Sequence, residues 1–268
     1  MIRALLASPL GFLVGLSLGA LGSGGSILAV PALVHAAGQT PQEATATSLL
    51  LVGIAALFGL PAHVRAGRVN VAYGLAFGAT GIGGSLAGTA VNRWLDPNVL
   101  LLAFSGLIVV AAWRMLTACP TCTRSGEAGA LAEGAAGLSP SPLDLGRALM
   151  VLVAGTGIGF LTGLFGVGGG FVIVPTLTLL LGFAMPQAIG TSLLVVAINS
   201  AVALLARLGT ARIDWLVAAA FTAAAVAGVL VGGRIADRID AERSLRAFAA
   251  GLVLLALFTA GAAIAGMY

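Results

Sequence analysis

Two short glycine-rich clusters are the residues in this sequence best suited to chemistry, Gly22-Ser23-Gly24-Gly25-Ser26 and Gly166-Val167-Gly168-Gly169-Gly170. Each is flanked by apolar segments that read as helix, and consecutive glycines are poor in a helix interior, so each cluster should interrupt one. An interrupted helix restarts with backbone N–H groups that have no intrahelical acceptor and with roughly half a positive charge, which together favour an anion. Glycine lets a ligand come close to that backbone. Gly24, Gly25, Ser26, Gly168, Gly169 and Gly170 are therefore the candidate anion ligands. The competing reading, that glycine merely permits close helix packing, is preferred for Gly11, Gly15, Gly19 and Gly155, Gly159, Gly163, which recur every four residues on one face.

Hydroxyls and amides stand nearby in sequence. Pro41-Gln42 and Pro186-Gln187 open apolar spans, with Thr47-Ser48 and Thr191-Ser192 deeper inside them. Such hydroxyls either bond back to a carbonyl one turn earlier or face a substrate path as neutral donors to an oxyanion. Asn199 lies in an otherwise apolar stretch where its first-half counterpart is Ala55. A buried amide needs a partner, either a neighbouring helix or the substrate. Pro31 and Pro175 could end or kink the short helix after each break. Glu43 is expected at a membrane interface, and its absence from the second half, where Ala188 stands, argues against a proton-coupling role. His35 and His63 lie near segment ends and are expected to be solvated. Cys119-Pro120-Thr121-Cys122 is a lone CxxC, too few ligands for a structural zinc site, with a regulatory thiol pair as the minority reading. Gly15-Leu16-Ser17-Leu18-Gly19 matches a nucleophile-elbow pattern only on paper, because it lies in an apolar helix and Leu161 replaces the serine in the second half. There is no HExxH, and without any lysine there is no P-loop; no catalytic residue, cofactor or metal is expected.

The elements that must position these residues are membrane helices. Hydrophobic residues make up 59% of 268 positions and charged residues 8%, against about a quarter charged in a soluble domain. Runs at 44–62, 69–92, 98–117, 146–165, 187–206, 213–233 and 245–267 approach or exceed the ~20 residues that cross a bilayer, and in lipid such runs must be helical. All thirteen basic residues are arginine and nearly all lie at run ends, so the net charge of +4 concerns topology and not nucleic acid. Residues 1–22 could pass for a signal peptide, but a related pattern recurs mid-chain at 155–166, so the N-terminus is read as structure.

Shifted by 144 residues, the sequence falls on itself. Gly15 to Ser26 meets Gly159 to Gly170, Pro31 meets Pro175, Thr47-Ser48-Leu49-Leu50 meets Thr191-Ser192-Leu193-Leu194, Arg68 meets Arg212, and Gly84 and Gly88 meet Gly228 and Gly232. The expected fold is all-α and polytopic, with two homologous repeats, 1–117 and 144–268, joined by a flexible linker at 118–143. Each repeat has a glycine-broken pair of half-helices plus three transmembrane helices, the arrangement that places transporter sites where the two breaks meet. If each pair is a re-entrant hairpin the copies are inverted; if it forms one broken span they are parallel. Arginine counts of nine against four for the first and eight against five for the second do not choose, but both place Arg65, Arg68 and the linker in the cytoplasm.

The doubled pattern of a GxxxG helix, a glycine-rich break, an apolar run to proline and a Thr-Ser-Leu-Leu span resembles the TauE/SafE sulfite exporter family over about residues 9–266. Gly22 to Pro31 and Gly166 to Pro175 carry the resemblance, with Ser26 standing where the second copy has Gly170. It implies transport of sulfite, a sulfonate or a related oxyanion across a bacterial-type inner membrane; composition and spacing alone reach only a small anion. The expected protein is a secondary carrier that binds its anion at both breaks with Gln42, Thr47, Ser48, Gln187, Thr191, Ser192 and Asn199, driven by an H+ or Na+ gradient or by the membrane potential, with one copy rocking against the other. The alternatives are a non-transporting membrane scaffold and an anion channel. Oligomeric state is not legible.

Overall fold

The computed structural model describes residues 2–21, 26–96, 98–100, 102–107, 109, 145–179, 181–183, 185–207, 209 and 213–236. Gly24, Gly25, the linker with Cys119 and Cys122, and the run at 245–267 lie outside them. Eight helices organise the described residues: α1 (Ile2–Leu21), α2 (Ala29–Ala37), α3 (Pro41–Arg65), α4 (Val71–Trp94), α5 (Leu145–Phe165), α6 (Gly170–Leu179), α7 (Met185–Leu205) and α8 (Trp215–Ala236). Residues 98–100 and 102–107 are also helical. Among the described residues there is no strand. Among the described residues four helices are long and apolar enough to cross a bilayer, Pro41–Arg65, Val71–Trp94, Pro186–Leu205 and Trp215–Arg234.

Local chemistry sets the boundaries. Thr40 caps α3 in a reciprocal box, its Oγ1 accepting from the Glu43 amide at 3.4 Å while its own amide donates to Glu43 Oε2 at 3.2 Å, and Pro41 takes the first helical position, where a missing N–H costs nothing. Glu43 is thus occupied as a cap. Asn70 Oδ1 caps α4 through Tyr73 N at 3.2 Å, and Asp214 Oδ1 caps α8 through Leu216 N and Val217 N at 3.1 and 3.3 Å. Pro31 falls in the first turn of α2 and Pro175 inside α6, so neither ends its helix. The expected half-helices are found only after each break, in the 9 residues of α2 and the 10 of α6; α1 and α5 before them run to 20 and 21 residues.

Packing brings backbone against backbone. A Cβ added at Gly15 or Gly19 of α1 would overlap the carbonyl of Ala225 or Val229 on α8, and one at Gly228 or Gly232 the carbonyl of Phe12 or Leu16. With the partners exchanged, the same contacts recur 144 residues away: Gly159 and Gly163 of α5 lie on the carbonyls of Gly81 and Ser85 of α4, and Gly84 and Gly88 on those of Thr156 and Phe160. The order of these contacts makes α1 parallel to α8 and α4 parallel to α5. Without a hydrophobic drive between helices in lipid, this close approach supplies the dispersion and carbonyl contacts that hold the pairs. Between the pairs, α3 and α7 pack antiparallel, Gly53 facing Ser200 and Gly59 facing Leu193. Leu57, Phe58, Leu75, Leu86, Val153 and Leu216 point outward, as a lipid-facing surface requires.

Gly159→Ala should therefore force α4 and α5 apart at a cost of roughly 2–3 kcal/mol, read as a lower melting temperature of the purified protein. Gly157→Ala, at a position with nothing within 4 Å, should leave it unchanged.

Candidate functional site

The second break is a wedge of backbone at the centre of the helices. Gly166, Gly168 and Gly169 have φ of 68°, 72° and 67°, left-handed values that L side chains rarely adopt, and all five residues from Gly166 to Gly170 are buried. Gly166 N closes the last turn of α5 on Thr162 O at 2.9 Å. The amides of Val172 and Ile173 return to Gly169 O at 3.1 and 3.3 Å, which starts α6. A Cβ on Gly169 would meet Thr162 and Ile158 of α5, so the chain doubles back along the helix it has just left. Gly166 abuts the backbone of Thr45 on α3, and Gly168 lies between Val52 of α3 and Val196 of α7, with Ser200 Oγ at 3.3 Å from its Cβ position.

The helix faces turned toward this wedge carry polar atoms. On α3, Thr45, Ser48 and Val52 fall on one face by helical spacing; on α7, Val196 and Ser200 do the same. Thr47 Oγ1, Ser48 Oγ, Ser200 Oγ and both amide atoms of Asn199 are fully buried and make no hydrogen bond to a protein atom. Leaving such groups unsatisfied costs on the order of 1–3 kcal/mol each. The Asn199 amide packs on Gly81 of α4, and its main-chain carbonyl accepts from Ser85 Oγ at 3.3 Å.

Other residues singled out in the sequence are engaged elsewhere. Thr191 Oγ1 accepts from Asn70 N at 3.0 Å at the α3–α4 turn, and Ser192 Oγ bonds back to Ile189 O at 2.7 Å. Gln42 Nε2 donates to Leu95 O at 3.4 Å, and Gln187 is half-buried at the opening of α7. Ser26 is fully buried in the turn that leads into α2. His63, expected to be solvated, is 6% exposed near the end of α3; the end of an apolar run is not the end of the packed interior.

Sequence reasoning missed Ser200 and, more consequentially, Arg207. The guanidinium is 3% exposed and lies against the break's near end: Nη1 donates to Thr45 Oγ1 at 2.5 Å and Asn92 Oδ1 at 3.1 Å, and Nη2 to Gly163 O. Asn92 Nδ2 donates in turn to Leu164 O at 2.6 Å. Arg93, exposed, reaches the Ala206 carbonyl at 2.6 Å. Arg207 follows the span that ends at Leu205; burial first, and the like charge of Arg93 second, push its pKa down to about 10, and it stays protonated at neutral pH. In a sequence whose arginines nearly all sit at run ends, position alone does not set this one apart. Ser200, beside Asn199, carried only the signal of a second polar residue in an apolar run. Among the described residues no three His, Cys, Asp or Glu side chains cluster as a metal site would need.

Ser48→Ala and Ser200→Ala remove orphaned hydroxyls and should raise the melting temperature by about 2 °C or more above wild type. A ligand that these hydroxyls hold would then raise the melting temperature of the variants less than that of wild type, as differential scanning fluorimetry would read.

Residues 7–259 match the family model described as sulfite exporter TauE/SafE. A probable membrane transporter protein of Xylella fastidiosa (strain Temecula1) is 32% identical over 251 residues, covering 92% of this chain and 90% of that one. The probable membrane transporter protein YunE of Bacillus subtilis is 28% identical over 249 residues, covering 89% and 86%, and YjnA of the same organism 28% over 262 residues, covering 92% and 95%. No solved structure gives a significant match.

Proposed function

The chain belongs to the TauE/SafE sulfite exporter family of membrane transporters, and on that footing we propose that it is a secondary carrier exporting a small sulfur-containing anion, sulfite or an organosulfonate, across the inner membrane. The observation that carries this reading is the buried Gly166–Gly170 wedge just before α6, where Gly168 faces the unpartnered hydroxyl of Ser200 and rests on the α3 face that carries Ser48. An oxyanion accepts several hydrogen bonds from fixed N–H and O–H donors, and a dry site strengthens each of them. In this reading Gly168, Gly169 and Gly170 supply backbone, Thr47, Ser48 and Ser200 supply hydroxyls, and Asn199 completes the wall from the α4 side. Gly24, Gly25 and Ser26 would do the same in the first half. Gln42 at the start of α3, and Gln187, Thr191 and Ser192 at the start of α7, would lie at opposite ends of the antiparallel α3–α7 pair, on the two approaches.

Two copies of one unit, inverted with respect to one another, explain why glycine contacts recur at an offset of 144 with partners exchanged and why α3 and α7, equivalent by that offset, pack antiparallel. The doubling back of the chain at Gly169 favours the re-entrant form of the broken pair. Arg65 and Arg68, at the α3–α4 turn, then face the cytoplasm with the 118–143 linker. Rocking one copy against the other would have to pull α1 from α8 and α4 from α5, where backbones touch. We place the movement instead between those two pairs, at the α3–α7 contact that covers the break. The membrane potential favours exit of an anion by ~2.3 kcal/mol per charge per 100 mV, with H+ or Na+ as the candidate coupling ion.

Proteoliposomes containing the purified protein, loaded with sulfite and assayed for entry of radiolabelled sulfite, should show saturable counterflow competed by sulfoacetate or thiosulfate more strongly than by chloride. Non-saturating flux would mark a channel, and no flux with any anion, from folded protein, a scaffold. Gly168→Ala, which crowds Val52 and Val196 at a left-handed position, should lower sulfite affinity at least tenfold in protein that still elutes as a folded species; unchanged affinity would remove the break from the site.

A further inference from the structure

A break inside a helix offers an ion two ends of opposite sign. α6 brings its positive N-terminus to the wedge, but α5 brings its negative C-terminus to the same few residues, and the two half charges nearly cancel. What meets the carbonyls of α5 therefore decides the sign of the field. Asn92 Nδ2 covers Leu164 O at 2.6 Å, and Arg207 Nη2 covers Gly163 O. Arg207 is itself held by Thr45 Oγ1 and Asn92 Oδ1, and Thr45 is the residue on which Gly166 rests. A full positive charge thus stands at an end that carries about half a negative one.

We propose that Arg207 sets the charge selectivity of the break: it reverses the field of the α5 C-terminus, so that the whole wedge, and not only the start of α6, is positive and admits an anion. This inference rests on the anion-carrier reading above and names the residue that makes one break an anion site. Arg207 acts through the α5 carbonyls and through its field, and is a positioning residue with no required contact to substrate. The position 144 residues earlier holds His63, so the equivalent residue of the first half carries no permanent charge. Burying an arginine is costly, which fits a residue kept for its charge.

The test separates charge from mere cross-linking. Arg207→Gln keeps an N–H donor for the Gly163 carbonyl and loses the charge, whereas Arg207→Lys keeps the charge and loses the planar fork. In the sulfite counterflow assay Arg207→Gln should raise KM roughly tenfold or more, with maximal rate per folded protein changed less, and Arg207→Lys should stay within about threefold of wild type. Asn92→Asp leaves the arginine in place and sets a carboxylate against it, and should reproduce the loss even if Arg207→Gln does not fold. A structural role alone predicts that Gln and Lys lower the melting temperature alike and leave KM unmoved; that result, or an Asn92→Asp variant with wild-type KM, overturns the proposal. Wild-type protein without saturable flux overturns the carrier reading, and this inference with it. Saturable wild-type flux together with either of those results overturns the role of Arg207 alone.

Discussion

Lipid cannot solvate a backbone amide or carbonyl, and every unusual feature of this protein follows from interrupting a helix under that constraint. The left-handed turn from Gly166 to Gly169 frees polar groups deep inside the structure. It is tolerable because α3 and α7 close over it and because Asn92 and Arg207 take up the carbonyls that α5 would otherwise leave bare. The cover must be thin to fit. Gly166 touches the α3 backbone directly, and Gly168 leaves only enough room for Val52, Val196 and a serine.

The helices were legible because their causes are local. Apolar run length sets a membrane helix, and Thr40-Pro41 with Glu43 three residues into the helix spells out a cap in consecutive residues. The offset of 144 residues was equally plain, and the glycines spaced by four proved to be the residues at which α1 meets α8 and α5 meets α4. The interruption at Gly166–Gly170 was foreseeable from its consecutive glycines.

Long-range pairings were not legible. Nothing near Arg207 in the chain indicates that Thr45, Asn92 and Gly163 will surround it, since those partners come from three other helices. Thr191 and Ser192 share sequence context with Thr47 and Ser48, yet the first pair is satisfied by a main-chain donor and a main-chain acceptor and the second is not. Asn70 N lies opposite Thr191, and Ser192 turns back onto Ile189 O of its own helix. Identical motifs in the two halves therefore do not imply identical surroundings, and His63 standing where the other half has Arg207 makes the same point with charge.

The crossed pairing of α1 with α8 and α4 with α5 also governs how the molecule is built. A membrane protein made of two similar halves is usually imagined as assembling each half as it leaves the ribosome. Here, among the described residues, the glycine face of α1 finds its matching carbonyls on α8, near the other end of the described chain, so α1 must wait in the bilayer with its narrow face against lipid until most of the protein has been inserted. α4 waits in the same way for α5, across the whole segment that joins the halves. Biogenesis then ends in a late docking step of high contact order, and severing the chain between the halves would leave each fragment holding surfaces shaped for the other.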